Sequence, residues 1–129
     1  MHALEKVVTL EEYNAFCGGL EHTSHVMQWG GEHVWKVAGK VFAIGGWQDE
    51  DEVFFVTFKV SEMSYDLLKD MTGCRPAPYL ASRGMKWIQR TDASSIDDEG
   101  LKDYLRESYR LVSLGLTKKK QKELGLNQD

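Results

Sequence analysis

The spacing of apolar side chains near the start of the chain predicts a short helix. Thr9-Leu10-Glu11-Glu12 has the Thr-x-x-Glu order of a capping box, whose two polar side chains satisfy backbone N–H groups at a helix start. Tyr13, Phe16 and Cys17 follow at helical spacing and supply one apolar side. Gly18-Gly19 ends the predicted helix, because glycine readily takes the left-handed conformation found at helix ends.

The middle of the chain has the pattern of β-strands. From Phe54 to Val60 every second side chain is apolar, and Thr57 and Lys59 fall on the other side, as expected for a sheet with one buried face. Gly39-Lys40 predicts a type II′ hairpin turn, since glycine suits the first central position. The predicted strands are Thr23–Trp29, His33–Ala38, Val41–Trp47 and Val53–Val60.

Two more helices and another strand are predicted before the C-terminal end. Ser61 is expected to cap a helix that runs to about Met71, and Ser95 to cap the longest helix. A loop with both prolines and a strand, Lys86–Thr91, lie between these helices, and a last short helix starts at Thr117. The apolar stripe of the first of these helices is Met63, Leu67, Leu68 and Met71. The buried stripe of the longest helix is Leu101, Tyr104, Leu105, Ser108, Val112 and Gly115.

These elements together predict one α+β domain over residues 1–129. Their order is α-β-β-β-β-α-β-α-α, and no repeat or low-complexity linker divides the chain. Such an order favours a two-layer sandwich, an antiparallel sheet of about five strands with helices packed mainly on one face.

Composition and charge limit the binding partners and the cellular location that we expect for the protein. The net charge of −4 argues against strong, indiscriminate binding to polyanions, although residues 75–91 contain four bases and no acid. No apolar run approaches a membrane span and no export signal begins the chain, so we expect a cytoplasmic location and no membrane partner. In that compartment we expect Cys17 and Cys74 to be reduced thiols.

Five segments in a fixed order resemble the MmcQ/YjbR family of small bacterial proteins. The segments are Val37–Ala43, Pro78-Tyr79, Trp87, Ser108–Val112 and Leu116–Lys119. The resemblance implies a compact α+β fold with an antiparallel sheet. It also implies DNA binding, a label that the family carries because of its double-wing-like architecture and that therefore rests on fold.

The basic residues of the second half are the candidate DNA contacts. Lys102, Arg106 and Arg110 are spaced to line one exposed face of the longest helix, and Tyr79 or Tyr109 would offer a ring for stacking. Alternatively, Asp103 and Glu107 pair with those arginines at i, i+3 and leave an ordinary solvated surface. The full set of predicted contacts is Arg83, Lys86, Arg90, Lys102, Arg106, Arg110, Lys118, Lys119 and Lys120.

A second hypothesis is a protein-interaction module, working as a homodimer or binding a peptide through the sheet face. It is based on aromatic residues of the predicted strands, which would form an exposed patch if they lie on the outer face. A one-residue shift in register would instead turn Trp35 and Trp47 into the core. The candidate partner-binding residues are Trp29, Trp35, Trp47 and Phe55.

Catalysis and metal binding find little support in the sequence. Cys17, His22, His25 and His33 do not have the spacing of a closed zinc site. The chain contains no nucleophile elbow, P-loop or dinucleotide-binding pattern, and Asp49–Glu52 is expected to be a solvated loop. We therefore expect no enzyme, catalytic residue, metal, cofactor or small-molecule ligand.

Overall fold

Six antiparallel strands form one sheet at the centre of the computed structural model, which describes residues 8–48, 53–78 and 80–128 and leaves out the side chains at 47, 48 and 53. The order across the sheet is β1-β2-β3-β4-β6-β5, and every neighbouring pair is antiparallel. The strands are β1 (Thr23–Gln28), β2 (Glu32–Val37), β3 (Lys40–Gln48), β4 (Val53–Lys59), β5 (Cys74–Pro76) and β6 (Trp87–Arg90).

Within the described ranges, four α-helices lie at the places that the sequence predicts. The capping box of α1 is confirmed, because Glu12 N–H donates to Thr9 Oγ1 at 3.1 Å and Thr9 N–H donates to Glu12 Oε1 at 3.0 Å. Ser61 caps its helix as predicted, and Thr117, predicted as the start of the last helix, is its cap. The helices are α1 (Leu10–Gly18), α2 (Glu62–Leu68), α3 (Asp98–Ser113) and α4 (Lys118–Leu124), with a 3-10 turn at Ala81–Arg83.

The buried core lies between the helices and one face of the sheet, so the predicted α+β architecture is confirmed. Alternate residues from Phe54 in β4 to Val60, just after it, are buried with Tyr13 of α1, Leu68 of α2 and Leu101 of α3. The Tyr13 hydroxyl donates to the His33 carbonyl at 2.8 Å. We call this the helix-covered face, and its reverse side the second face.

Several predicted boundaries and turns are wrong. The β2–β3 turn is Ala38-Gly39, with φ of 48° and 87°, because Val37 pairs with Lys40. Positive φ at both central residues belongs to a type I′ turn rather than the expected type II′ turn. Asp97 caps α3 in place of Ser95, since its side chain accepts from Gly100 N–H at 2.7 Å.

The region predicted as a proline loop contains an additional short strand, β5. It pairs with β6 through only three residues, Cys74, Arg75 and Pro76, too few for a period-two pattern to reveal. The α2 helix ends at Leu68, and of its predicted apolar stripe only Leu68 is buried, whereas Met63 is 82% exposed. Gly115, the last residue of the stripe predicted for α3, is also exposed.

Candidate functional site

Arg90 lies in the interior, so its predicted place on a basic surface is wrong. Its side chain is 1% exposed and points to the helix-covered face. Arg90 Nε donates to the Ile96 carbonyl at 2.8 Å, and Nη2 donates to Asp98 Oδ1 at 2.9 Å. These contacts anchor the start of α3 to β6, so this cation has a structural role.

The three bases on α3 each have an acidic partner one turn earlier. Lys102 lies 3.5 Å from Glu99, and Arg106 Nη1 donates to Asp103 at 2.7 Å. Arg110 donates to both carboxylate oxygens of Glu107, and this hydrogen bonding lowers the pKa of Glu107 below its usual value. The predicted i, i+3 pairs of Asp103 and Glu107 are therefore confirmed, and they partly neutralise the exposed face of α3.

The lysine run at the start of α4 differs from the bases of α3. Lys118, Lys119 and Lys120 are all exposed, and no described acid lies within ion-pair distance of them. They occupy the first turn of a helix capped by Thr117. The positive end of the helix dipole disfavours cations at this place, so the local structure gains nothing from them.

The remaining two predicted bases lie away from the long helix. Lys86 is half-buried, with its ammonium 4.8 Å from the centre of the Tyr65 ring. Arg83 is exposed and borders a pocket on the second face, on the reverse side of the sheet from α3. The nine predicted bases consequently do not share one continuous surface.

Ser108 and Tyr109 lock α3 onto the sheet and the loop that follows α1. The Ser108 hydroxyl donates to the Phe42 carbonyl at 2.7 Å and accepts from Lys59 N–H at 2.8 Å. Tyr109 donates to the Glu21 carbonyl and packs edge-on against Phe42, so its ring is held in place; Tyr79 lies outside the described residues.

The second face of the sheet carries a pocket of about 640 Å³. Its floor is one row of residues that face each other across neighbouring strands, Ile44, Thr57, Gln89 and Arg75. The chain after β5, including Pro78 and Leu80, forms one wall, and Trp29 and Glu32 lie on the opposite side. Such a volume lies within the 300–1,000 Å³ that is common for small-molecule sites.

A directed line of hydrogen bonds crosses the floor of this pocket. Arg75 Nε donates to Gln89 Oε1 at 2.8 Å, and Gln89 Nε2 donates to Thr57 Oγ1 at 3.2 Å. Arg75 is further fixed by the ring of Phe55, whose centre lies 5.4 Å from the guanidinium carbon. These contacts hold a cation in a defined direction at one side of the pocket.

Glu32 brings a carboxylate to the other side. It reaches over Gly46, where a Cβ atom would lie only 2.5 Å from Glu32 Oε2, so the glycine makes room for the carboxylate. Burial raises the pKa of Glu32 above its usual value, because desolvation disfavours the charged form. No described cation lies within ion-pair distance of it.

The aromatic residues of the partner-binding hypothesis separate into two groups. Trp35 packs on the helix-covered face against Gly18 and donates to Asn14 Oδ1 at 2.9 Å, so its predicted place on an outer face is wrong. Phe55 is half-buried beneath Arg75 on the second face, and Trp29 is 64% exposed beside the pocket. The side chain of Trp47 lies outside the described residues.

The cysteine and histidine residues do not converge on a metal site in the described part of the chain, where no group of three or more His, Cys, Asp or Glu side chains could hold an ion. His25 and His33 bond to each other at 3.0 Å, and Cys17 is buried in the core as a free thiol. Burial raises the pKa of the Cys17 thiol, which makes it a poor nucleophile. No helix among the described residues is long and apolar enough to cross a membrane.

Comparison with known proteins identifies the family. The YjbR family model matches residues 18–111, a segment that contains the whole sheet and most of α3 and ends before the lysines of α4. The chain belongs to the YjbR family. The predicted resemblance is therefore confirmed, and the family name by itself specifies no function.

Solved structures support the same assignment. The fold is similar to that of protein DR2400 of Deinococcus radiodurans, a DUF419 protein, with a TM-score of 0.78 and 25% identity over 95% of this chain and 92% of that one. A protein from Pseudomonas syringae has the same fold, with a TM-score of 0.64 and 14% identity over 81% of this chain and 98% of its own. The comparison with curated proteins found no match.

Proposed function

We propose that this YjbR protein is a non-catalytic binding module that makes weak contacts to DNA through its C-terminal helices. The proposed contacts are Arg106 and Arg110 on α3 and the Lys118–Lys120 run on α4, which together we call the C-terminal basic surface. Contact with DNA implies a cytoplasmic location, which we propose as well.

The observation that carries this proposal is the position of the lysine run. Three adjacent cations at the positive end of a helix repel the dipole, at a cost of about 0.3–1 kcal/mol each for exposed charges. Local rules are most often broken where a protein has a function to serve. Contact with DNA phosphates would offset this repulsion between the lysines and the helix dipole. No described acid offsets it.

The acidic partners on α3 and the net charge of −4 limit the affinity. Roughly four phosphate contacts give a slope of about −3.6 for log affinity against log salt, or about a hundredfold loss over a fourfold salt increase. We accordingly expect binding that is measurable in dilute buffer and strongly weakened at higher salt.

Charge reversal tests the C-terminal basic surface. We expect Lys118, Lys119 and Lys120 changed together to Glu, and separately Arg106→Glu with Arg110→Glu, to lower duplex-DNA affinity and flatten its salt dependence in fluorescence anisotropy titrations. Arg83→Glu, on the reverse side of the sheet, is the matched control and should bind as the unmodified protein does. Equal binding by all variants would contradict the proposed surface.

Self-association through β1 is a second candidate, favoured by the exposed edge of the sheet. Among the described residues β1 has a hydrogen-bonded neighbour on one side only, and Met27 within it and Trp29 just after it are 56% and 64% exposed. An uncovered edge strand is a template for pairing with a second chain. In this arrangement two copies would pair their β1 strands and enclose those two apolar side chains.

Light scattering at several protein concentrations tests the second candidate. We expect the unmodified protein to form a dimer and Met27→Lys to shift it toward the monomer, since a charge on an edge strand opposes pairing. Met63→Lys, a more exposed methionine on α2, is the control. A monomer at every concentration would exclude this mode of association.

A further inference from the structure

Opposite charges face the pocket on the second face without pairing to each other. Arg75 extends over Phe55 from β5, and Glu32 extends over Gly46 from β2. Gly46 and Phe55 are direct partners in the β3–β4 pairing, so the two charged groups reach over neighbouring positions of the sheet from opposite sides. No ion pair within 4.0 Å joins Glu32 and Arg75, and both residues line the pocket.

We propose that this pocket binds a small zwitterionic molecule, such as a short peptide, that carries an apolar side chain beside its carboxylate and ammonium. Its carboxylate would contact Arg75 and Arg83, and its ammonium would contact Glu32. The site lies on the reverse side of the sheet from α3, so this proposal does not depend on DNA binding.

The acidic side of the pocket lacks a counter-ion that a ligand would provide. Glu32 is half-buried, and its desolvation is not compensated by any described cation. A partly buried carboxylate gains most from a hydrogen-bonded cation, because the desolvation cost has already been met in the fold. A ligand ammonium would satisfy this group, whereas a second anion would be repelled by it.

The basic side is arranged for a carboxylate. Hydrogen bonding to Gln89 and contact with Phe55 orient the guanidinium of Arg75, and Arg83 borders the same pocket from the 3-10 turn. Arginine binds carboxylates through parallel hydrogen bonds and remains charged at all ordinary pH values. Thr57, which is 5% exposed, accepts from Gln89 and has no acceptor for its own hydroxyl hydrogen among the described residues, so it can donate to a ligand.

Apolar side chains also line the pocket. Ile44 lies on the floor, Leu80 on one wall, and the exposed ring of Trp29 on the side of Glu32. An apolar body placed there would be removed from water together with Trp29, which favours binding in proportion to the buried area. The volume of about 640 Å³ accommodates a dipeptide with an aromatic side chain and does not require a macromolecule.

Three forms of one dipeptide test the pocket by isothermal titration calorimetry. The probes are Ala-Phe, N-acetyl-Ala-Phe, which lacks the ammonium, and Ala-Phe amide, which lacks the carboxylate. We expect Ala-Phe to bind about tenfold to a hundredfold more tightly than either modified form, the usual range for one charge-assisted hydrogen bond. Equal binding of all three, or no binding at millimolar concentration, would overturn the proposal without affecting the result for DNA.

Two conservative variants test which residue binds the ammonium of the dipeptide and which binds its carboxylate. Glu32→Gln should remove the preference for Ala-Phe over its N-acetyl form, and Arg75→Gln should remove the preference over the amide. Arg106→Gln on the opposite side of the sheet is the control and should keep both preferences. Variants that fold, as judged by circular dichroism, and keep both preferences would contradict this assignment. If either variant fails to fold, the three probes on the unmodified protein still decide the outcome.

Discussion

The two faces of the sheet differ in how far their polar side chains are satisfied by the protein itself. On the helix-covered face, Arg90 and Ser108 are buried and make all their described hydrogen bonds to backbone groups and to Asp98. On the second face, Glu32 lacks a described cation, and the buried indole N–H of Trp87 lacks a described acceptor. Satisfied groups stabilise a fold, whereas a partly exposed group without a partner, such as the Glu32 carboxylate, is available to a ligand.

Two arginines on neighbouring strands give the sharpest contrast between the faces. Arg90→Met should lower the free energy of unfolding by about 3 kcal/mol, because it leaves Asp98 and the Ile96 carbonyl without their partner. Arg75→Met, on the second face of β5, should cost less than about 1 kcal/mol, as exposed side chains usually do. Urea denaturation of both variants measures the difference, and equal costs would remove the contrast.

Removing one hydroxyl group from each face, at Ser108 and at Thr57, compares the stability of the two faces in a second way. Ser108→Ala should destabilise the protein by about 2–3 kcal/mol, because the Phe42 carbonyl and Lys59 N–H both lose a buried partner. Thr57→Val removes one acceptor, that of the Gln89 amide, and should cost about 1 kcal/mol. Thermal unfolding followed by circular dichroism checks both values; a larger loss for Thr57→Val would show that the second face is also a structural core.

Gly45 and Gly46 are adjacent residues of β3 that face opposite sides of the sheet, so substituting each in turn compares the two faces. A Cβ at Gly45 would lie 2.7 Å from the rings of Phe54 and Tyr13, and packed rings cannot move aside. Gly45→Ala should therefore cost about 1–3 kcal/mol through overpacking. Gly46→Ala meets only the end of the flexible Glu32 side chain and should cost less, while displacing that carboxylate. Denaturation midpoints that rank these variants in the opposite order would contradict this assignment of faces.

The smallest expected effect is a pH dependence that comes from Glu32. Burial raises the pKa of Glu32 in the folded state above the usual 4.5, so protonation of Glu32 favours the folded state. This contribution to the free energy of unfolding is present at low pH and is lost as the pH rises through the folded-state pKa. Glu32→Gln should consequently be slightly more stable than the unmodified protein at neutral pH and show no advantage below about pH 4. Unfolding measured from pH 3 to 7 checks the sign, and an advantage confined to acidic pH would refute it.

The helices and most strands could be predicted because local chemistry specifies them. Thr9, Ser61 and Thr117 mark helix starts by accepting backbone hydrogen bonds within a few residues, and the alternation along β4 identifies its buried face. Asp97 and Ser95 are both good caps, but in the structure Asp97 caps α3 while the Ser95 hydroxyl donates to the Thr72 carbonyl at 2.7 Å. Strand β5 was missed since three residues carry too little pattern.

The candidate sites depended on information that is not local. Helical spacing correctly paired Arg106 and Arg110 with acids, but nothing in the sequence near Arg90 indicates that it is buried. The pocket on the second face was missed altogether, because Glu32, Thr57 and Arg75 are far apart in the sequence. The alternation of apolar and polar residues in β4 correctly separated Thr57 from the buried face. It was the one sequence pattern that pointed to a residue of the pocket.

By itself, the sequence determined the family, the α+β class and the identity of most helices and strands, since capping and periodicity act over a few residues. Which polar side chains are satisfied within the protein, and which can still bind a ligand, became known from the three-dimensional fold. Arg75 and Arg90 are both arginines on short strands, and strand pairing alone puts one in the core and the other beside a pocket. Burial and hydrogen-bond partners depend on contacts between distant segments, and the chemistry of each side chain follows from them.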